Sequence, residues 1–240
     1  MVTAIEGTGT DDTRWRTWPA VTGWPALTLD PPSPPLVVAP HPDDEVLGVG
    51  GLLALLPGAE VVAVTDGEAS HPGSTVHTQA ELAALRRAET AEALHRLGLP
   101  RTAVRHLGQP DGGIDEQALT AILSELLTPD RWCLATWRGD GHPDHEAVGR
   151  AAAAACAATG ARLIEYPIWT WHWAEPDDER VPWNRARRVD LPPDVLEAKQ
   201  EAILAFPSQI WDLGPDPADA AILPPHVLAR FRRPFEVVFA

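Results

Sequence analysis

The sequence predicts an α/β fold, a layered sandwich built on a mostly parallel sheet. Short apolar runs rich in β-branched residues recur along the chain, and segments of helical periodicity separate them. Of the 240 residues 45% are hydrophobic, enough for a sizeable buried core. Strands alternating with helices imply parallel βαβ units, because a parallel return needs a crossover element.

Residues 1–35 begin with Gly, Thr and Asp, continue through Trp15, Trp18 and Trp24, and close on a proline run at 31–35. Prolines at this density preclude regular helix, so the segment is expected to lie extended over the core, docked by its tryptophans. With the rest of the chain it is expected to form a single domain, 1–240. LVVAP at 36–40 is a β-branched run closed by Pro40 and reads as the first buried strand; EVVAVTDG at 60–67 reads as the second. Leu82, Leu85, Ala93, Leu94 and Leu97 fall at helical spacing within 78–97, and Gly98 and Pro100 end that helix. A third strand is predicted at 103–108, a helix at 115–127, a fourth strand at 131–137, an alanine-rich helix at 144–159 and a fifth strand at 162–169. The last stretch mixes RARRVDL, a helix over 193–206 and a closing FEVVF strand.

Nineteen basic against 34 acidic side chains give a net charge of −15. An acidic surface repels phosphate backbones and anionic lipid, which argues against nucleic acid and membrane as partners. A basic pocket inside that field would still admit small anions. Cys133 and Cys156 both sit in apolar surroundings, so buried thiols in a reducing compartment are expected in place of a disulfide framework. No basic-then-apolar leader is recognisable, and no apolar run approaches the ~20 residues of a membrane span. A cytoplasmic protein is the expectation. Its oligomeric state stays open, a homo-oligomer included.

In an open α/β sheet, ligands sit beyond the carboxyl ends of the strands. His41 follows the first predicted strand, Asp66 ends the second and His142 follows the fourth, so these segments are expected to converge on one edge. The densest cluster is APHPDDE at 39–45, and the second is GHPDHE at 141–146. Acids this close behind an apolar strand are costly to bury without a partner. Each cluster holds two donors three residues apart, His41 with Asp44 and His142 with His145. Imidazole and carboxylate suit zinc, and a catalytic zinc keeps three protein ligands and one open position. A neighbouring carboxylate can then take a proton from water that the metal has acidified, while a histidine opposite stabilises an oxyanion or protonates a departing amine. Aspartates capping the following helices would explain one such cluster. Two at equivalent strand ends argue for a site.

These paired motifs, in this order and separation, resemble the PIG-L/LmbE family of zinc-dependent deacetylases. That family includes N-acetylglucosaminyl-phosphatidylinositol deacetylases and the deacetylases of mycothiol and bacillithiol biosynthesis. The resemblance runs from about 36 to 160, with a weaker echo in KQEAILAFPSQ at 199–209. It implies a Rossmann-like three-layer sandwich and a Zn2+ ion held by His41, Asp44 and His145. It also implies Asp43 as general base, His142 as the group that stabilises the tetrahedral oxyanion, and Asp144 as the residue that tunes His142. Glu45 would orient the ligands from behind. Arg86, Asp111 and Asp66 match positions that contact substrate. Against that stand a solvated ion pair of Arg86 with Glu89 on one helix face, and ordinary turn acids at Asp66 and Asp111. The implied reaction is attack of a zinc-activated water on an N-acyl carbonyl, releasing acetate and a free amine from an N-acetylated amino sugar or small sugar conjugate. Fe2+, Mn2+ or Co2+ would suit the same two imidazoles and carboxylate.

Other signals are weaker. In WTWHW, an extended path would put Trp169, Trp171 and Trp173 on one face, as a sugar platform or as core. GVGG at 48–51 lacks the spacing of a dinucleotide fingerprint. His71 and His77 are expected in a surface loop or lid, and Ser70 and Ser208 lack the context of a serine nucleophile. Arg138 and Asp140 are expected to shape the pocket mouth. Two rivals to a deacetylase are a two-metal phosphoesterase and a non-catalytic sugar- or metal-binding protein on the same fold.

Overall fold

The computed structural model describes residue 5 and residues 7–56 and 58–240; expectations that touch residues 1–4 and 6 lie outside them. The β-branched runs form β1 (Leu36–Ala39), β2 (Glu60–Ala63), β3 (Val104–His106), β4 (Trp132–Thr136) and β5 (Arg162–Tyr166). The C-terminal stretch adds β6 (Ala186–Asp190) and β7 (Phe235–Phe239). Helices run in chain order as α1 (Asp12–Thr17), α2 (Ala20–Gly23), α3 (Asp44–Leu55), α4 (Gln79–Arg96), α5 (Glu116–Leu126) and α6 (Pro143–Thr159). They continue as α7 (Thr170–Trp173), α8 (Pro193–Ile203), α9 (Pro207–Ile210) and α10 (Pro225–Leu228).

The strands form one sheet in the order β3-β2-β1-β4-β5-β7-β6. Pairing is parallel from β3 through β5, and β7 runs antiparallel to both its neighbours. Alternation along each strand feeds two cores. Val37, Val61, Leu134 and Ile164 pack with α3, α4 and α8, whereas Val38, Val62, Cys133 and Ala135 pack with α5 and α6. A sheet covered on both faces needs such continuously buried strands, and the predicted three-layer α/β architecture is the one observed.

Local signals set the helix ends. Thr78 and Glu81 form a reciprocal capping box at the start of α4, and Asp115 accepts from Gln117 N and Ala118 N at the start of α5. Pro143 occupies the first turn of α6, and Gly160 closes it with φ +79°. A Cβ at Gly149 would stand 2.6 Å from the Thr136 carbonyl oxygen, so α6 lies directly against the end of β4.

Helix α3 is not expected from the sequence, because Gly48, Gly50 and Gly51 lower helix propensity. The glycines are there for contact: a Cβ would meet the Tyr166 ring at 2.3 Å from Gly48, and Leu191 at 2.4 Å from Gly51. Helix α3 also kinks at Val49 (φ −139°). The Glu236 carboxylate accepts from Gly51 N at 2.7 Å and Leu52 N at 2.8 Å, while Lys199 Nζ donates to the Leu47 carbonyl at 2.9 Å and to Glu236 at 2.5 Å. This buried ion pair satisfies backbone groups at the kink.

Two expectations need correction. The N-terminal segment makes two short helices, α1 and α2, before its proline run, because the prolines cluster after residue 24. Trp15 is fully buried, edge-on to Trp18 and Trp171, and its indole N–H donates to the Trp171 carbonyl at 2.9 Å. WTWHW is a helical turn, so its tryptophans share no face. Trp171 enters the core and Trp173 stacks on Trp137. Among the described residues, no helix is long and apolar enough to cross a membrane.

Candidate metal centre

The sheet order reverses between β1 and β4, and the two His-Pro-Asp motifs leave those strands side by side. In open α/β sheets this switch point is where a crevice opens. His41 Nδ1 and His145 Nε2 each lie 3.3 Å from the same oxygen, Asp44 Oδ2. All three side chains offer ligand atoms within 4.8 Å of one another.

The far side of each imidazole rests on a carboxylate. His145 Nδ1 lies 2.8 Å from Asp140 Oδ2, and His41 Nε2 lies 3.2 Å from both Asp111 Oδ1 and Asp144 Oδ2. His145 Nε2 is buried without a hydrogen-bond partner. An imidazole anchored through one nitrogen, with the other turned to a shared carboxylate oxygen, is the arrangement that receives a divalent ion. The residues fit the group. A second set among the described residues, His41, His142 and Asp144, shares His41, and its Asp144 Oδ2 already accepts from Gly112 N at 2.8 Å.

Charge follows this geometry. Burial opposes protonation of His145, but Asp44 and Asp140 outweigh it and raise the ring to about 9. Burial would likewise raise Asp44, yet His145 and His41 beside it hold its carboxyl well below the usual range. His142 goes the other way, to about 3, through burial and the like charges of His145 and His41. Asp43 is pushed up to about 7 by burial, against the pull of Arg86.

Asp43 precedes α3 with φ 135°, a conformation costing a non-glycine residue about 1–3 kcal/mol. Its neighbours hold it there. Its N–H donates to Glu45 Oε2 at 3.1 Å, its carbonyl accepts from Val46 N and Leu47 N, and its Oδ2 accepts from Arg86 Nη2 at 3.1 Å. Arg86 is only 2% exposed and also donates to the Pro42 and Gly67 carbonyls at 2.7 and 2.9 Å. Gly67 has no alternative, since a Cβ there would lie 1.8 Å from Arg86 Nη1. Glu45 is buried beside them, and burial raises it to about 8.

A cavity of about 300 Å3 opens on this cluster, with His41, Asp43, Asp44, His142 and His145 in its floor. Arg86 and Asp111 also line it. Asp66 does not. Its carboxylate is taken by Arg87 and lies 3.3 Å from His106 Nδ1, because residue 66 points away from the cavity to the sheet edge. Arg86 makes no solvated pair with Glu89, whose carboxylate accepts from Ser208 N and Oγ at 2.8 and 2.6 Å. Asp144 turns its carboxylate to His41 and Gly112; only its backbone N–H meets His142, at Nδ1, 3.3 Å away. Arg138 pairs with Glu165, away from the mouth.

The structure adds one group to the site and places two others differently from the expectation. Gln209 lines the cavity beside Ser208 Oγ, and the KQEAILAFPSQ echo was the signal for it. Asp140 is fully buried; besides His145 it accepts from the backbone N–H groups of Ile168, Trp169 and Thr170, each at 2.9 Å. It thereby ties an imidazole of the site to the turn that carries Trp169, which also lines the cavity. His71, expected at the surface, is buried.

Known proteins resemble the chain in sequence and in fold. Curated protein sequences give no match. Among solved structures, the conserved protein TT1542 from Thermus thermophilus is 31% identical, with 73% of this chain and 79% of that chain covered and a TM-score of 0.53. The N,N'-diacetylchitobiose deacetylase from Pyrococcus horikoshii is 25% identical, with 71% and 68% covered and a TM-score of 0.53. The 4-carboxy-2-hydroxymuconate hydratase from Pseudomonas putida KT2440, 20% identical with 74% and 80% covered and a TM-score of 0.57, shares the fold. Residues 36–156 match the family model described as PIG-L, GlcNAc-PI de-N-acetylase. That span takes in both His-Pro-Asp motifs and half of the sequence, and the chain belongs to the PIG-L family.

Proposed function

We propose that the protein is a zinc-dependent N-deacetylase that removes an acetyl group from an amino sugar or small sugar conjugate. The observation that carries this reading is the pair of imidazole nitrogens at 3.3 Å around Asp44 Oδ2, flanked by Asp43 and His142. Membership of the PIG-L family and the likeness to a chitobiose deacetylase support it. His41, Asp44 and His145 would hold the ion, which supplies Lewis acidity to a carbonyl and acidifies water.

Asp43, near 7, is suited to accept a proton from the attacking water and to return it to the departing amine. Arg86 fixes Oδ2 of that carboxylate, so the general base has one orientation. His142 Nδ1 accepts the Asp144 N–H, which leaves the ring proton on Nε2, and the neutral ring can donate it to the developing oxyanion. Asp111 and Gln209 offer acceptors and donors for sugar hydroxyls. A 300 Å3 cavity lies at the small end of ligand pockets, about 300–1,000 Å3, and suits one sugar unit with its acetyl group.

A two-metal phosphoesterase bridges its ions with a carboxylate, whereas the two donor sets among the described residues share an imidazole, His41, which as a neutral ring serves one ion. The test is acetate release from a panel of N-acetylated sugars, before and after chelation. Release abolished by chelator and restored by zinc supports the proposal. A chelator-insensitive enzyme, or a metal-loaded protein that releases acetate from none of them, overturns it.

A further inference from the structure

We infer that the substrate carries a flat apolar aglycone, an aromatic ring system, seated in a trough outside the metal cavity. This rests on the deacetylase reading of the inner cavity and names the kind of amino-sugar conjugate that would enter it.

The trough has a volume of about 650 Å3, more than twice the roughly 300 Å3 of the inner cavity. Ser70, Pro72, His142, Trp169 and Ile222 line both, so the two spaces meet around His142 and Trp169. A group attached to a sugar in the inner cavity would pass Trp169 to enter the trough. The backbone that carries that indole is held in place, because Asp140 grips its turn through three N–H groups at 2.9 Å.

The walls define the occupant. In a chain of net charge −15, no Asp, Glu, Lys or Arg lines the trough among the described residues. Among the described residues a charged aglycone would find only imidazoles there. Pro217, Pro224, Ala218, Ala220 and Ala221 line it together with Trp169. Proline rings, an indole and imidazoles present flat faces, which suit stacking against a planar ring. A linear acyl chain is better held by a narrow bore of branched aliphatic side chains. Of those the trough has only Ile5, Ile222 and Val227 among the described residues.

The test compares 2-naphthyl and methyl glycosides. Calorimetry with 2-naphthyl β-glucoside and methyl β-glucoside reads the trough without any deacetylation. Acetate release from the corresponding N-acetylglucosaminides reads it in turnover. The naphthyl ligand should bind, and be turned over by kcat/KM, about 10-fold better or more, as expected for burial of an aromatic ring. Ala221→Glu places a carboxylate in the trough and should abolish this advantage while leaving the methyl substrate unchanged. Ala220→Glu, at an exposed position on the same wall, should act in the same direction and guards against misfolding of the first variant. Equal binding of the two glucosides, or an advantage that survives both variants, overturns the inference. A preference instead for N-octanoyl over N-acetyl glucosamine, lost in both variants, also overturns it by assigning the trough to an acyl chain. Preferred naphthyl binding with no acetate from any substrate upholds the trough and overturns the deacetylase reading.

Discussion

On one side of β5, at the carboxyl ends of β1 and β4, the molecule buries charge: Asp43, Asp44, Glu45, Asp140, Asp144 and His145 are all buried within one small volume. On the other side, where β6, β7 and the N-terminal helices gather, it buries tryptophan: Trp15, Trp18 and Trp171 pack with each other and with the half-buried Trp183, ring centroids in contact being 5.0–5.9 Å apart. The two regions carry opposite energetics. Buried carboxylates cost stability unless something compensates them, and here their compensation is each other's imidazoles, Arg86 and the ion they could hold. Buried indoles stabilise outright through area and edge-to-face packing. Chemistry is therefore concentrated where the fold is least favoured electrostatically, and the tryptophan cluster helps to offset that cost.

This contrast can be broken by substitution. The largest effect is expected for Asp43→Asn, which should lower kcat by roughly 10²–10⁴-fold with bound metal retained and thermal stability undiminished, as steady-state kinetics and melting curves would show. An unchanged rate would remove Asp43 from the chemistry. Trp15→Ala should do the reverse, costing about 3–5 kcal/mol in denaturant unfolding while the folded fraction keeps its metal affinity. If that variant lost metal without losing stability, the two regions would not be separable. Asp140→Asn sharpens the boundary, because Asp140 touches both the His145 ring and the turn carrying Trp169. It should weaken metal binding about 10–100-fold, measured by competition with a chelating dye, and leave the fold intact. Arg14→Ala removes an exposed pair with Glu175 and should shift neither melting temperature nor rate.

The same contrast governs what could be read from the chain. The polar edge was legible because its residues come in two contiguous motifs, each following a strand, and the sheet order brings those strands together. The parallel half was legible for a related reason: its β-branched runs and capping signals are local. Side-chain direction was not. Asp66 and Asp144 were placed by motif position, and their carboxylates turned elsewhere, to Arg87 and to His41. The tryptophan cluster depends on contacts such as Trp15 with Trp171, 156 residues apart, for which no local pattern exists. Helix α3 was hidden by glycines whose purpose appears only once Tyr166 and Leu191 are packed against them. The helical turn of WTWHW depends on the Asp140 carboxylate that collects its N–H groups, again a long-range contact.

On this reading His41, Asp44 and His145 together hold one divalent ion. This is tested most directly by titrating zinc into the metal-stripped protein and into its Asp44→Ala variant by calorimetry. About one tight site per chain is expected in the unaltered protein, and its loss in the variant. No binding to the unaltered protein, two independent tight sites, or an unchanged isotherm for Asp44→Ala would contradict it.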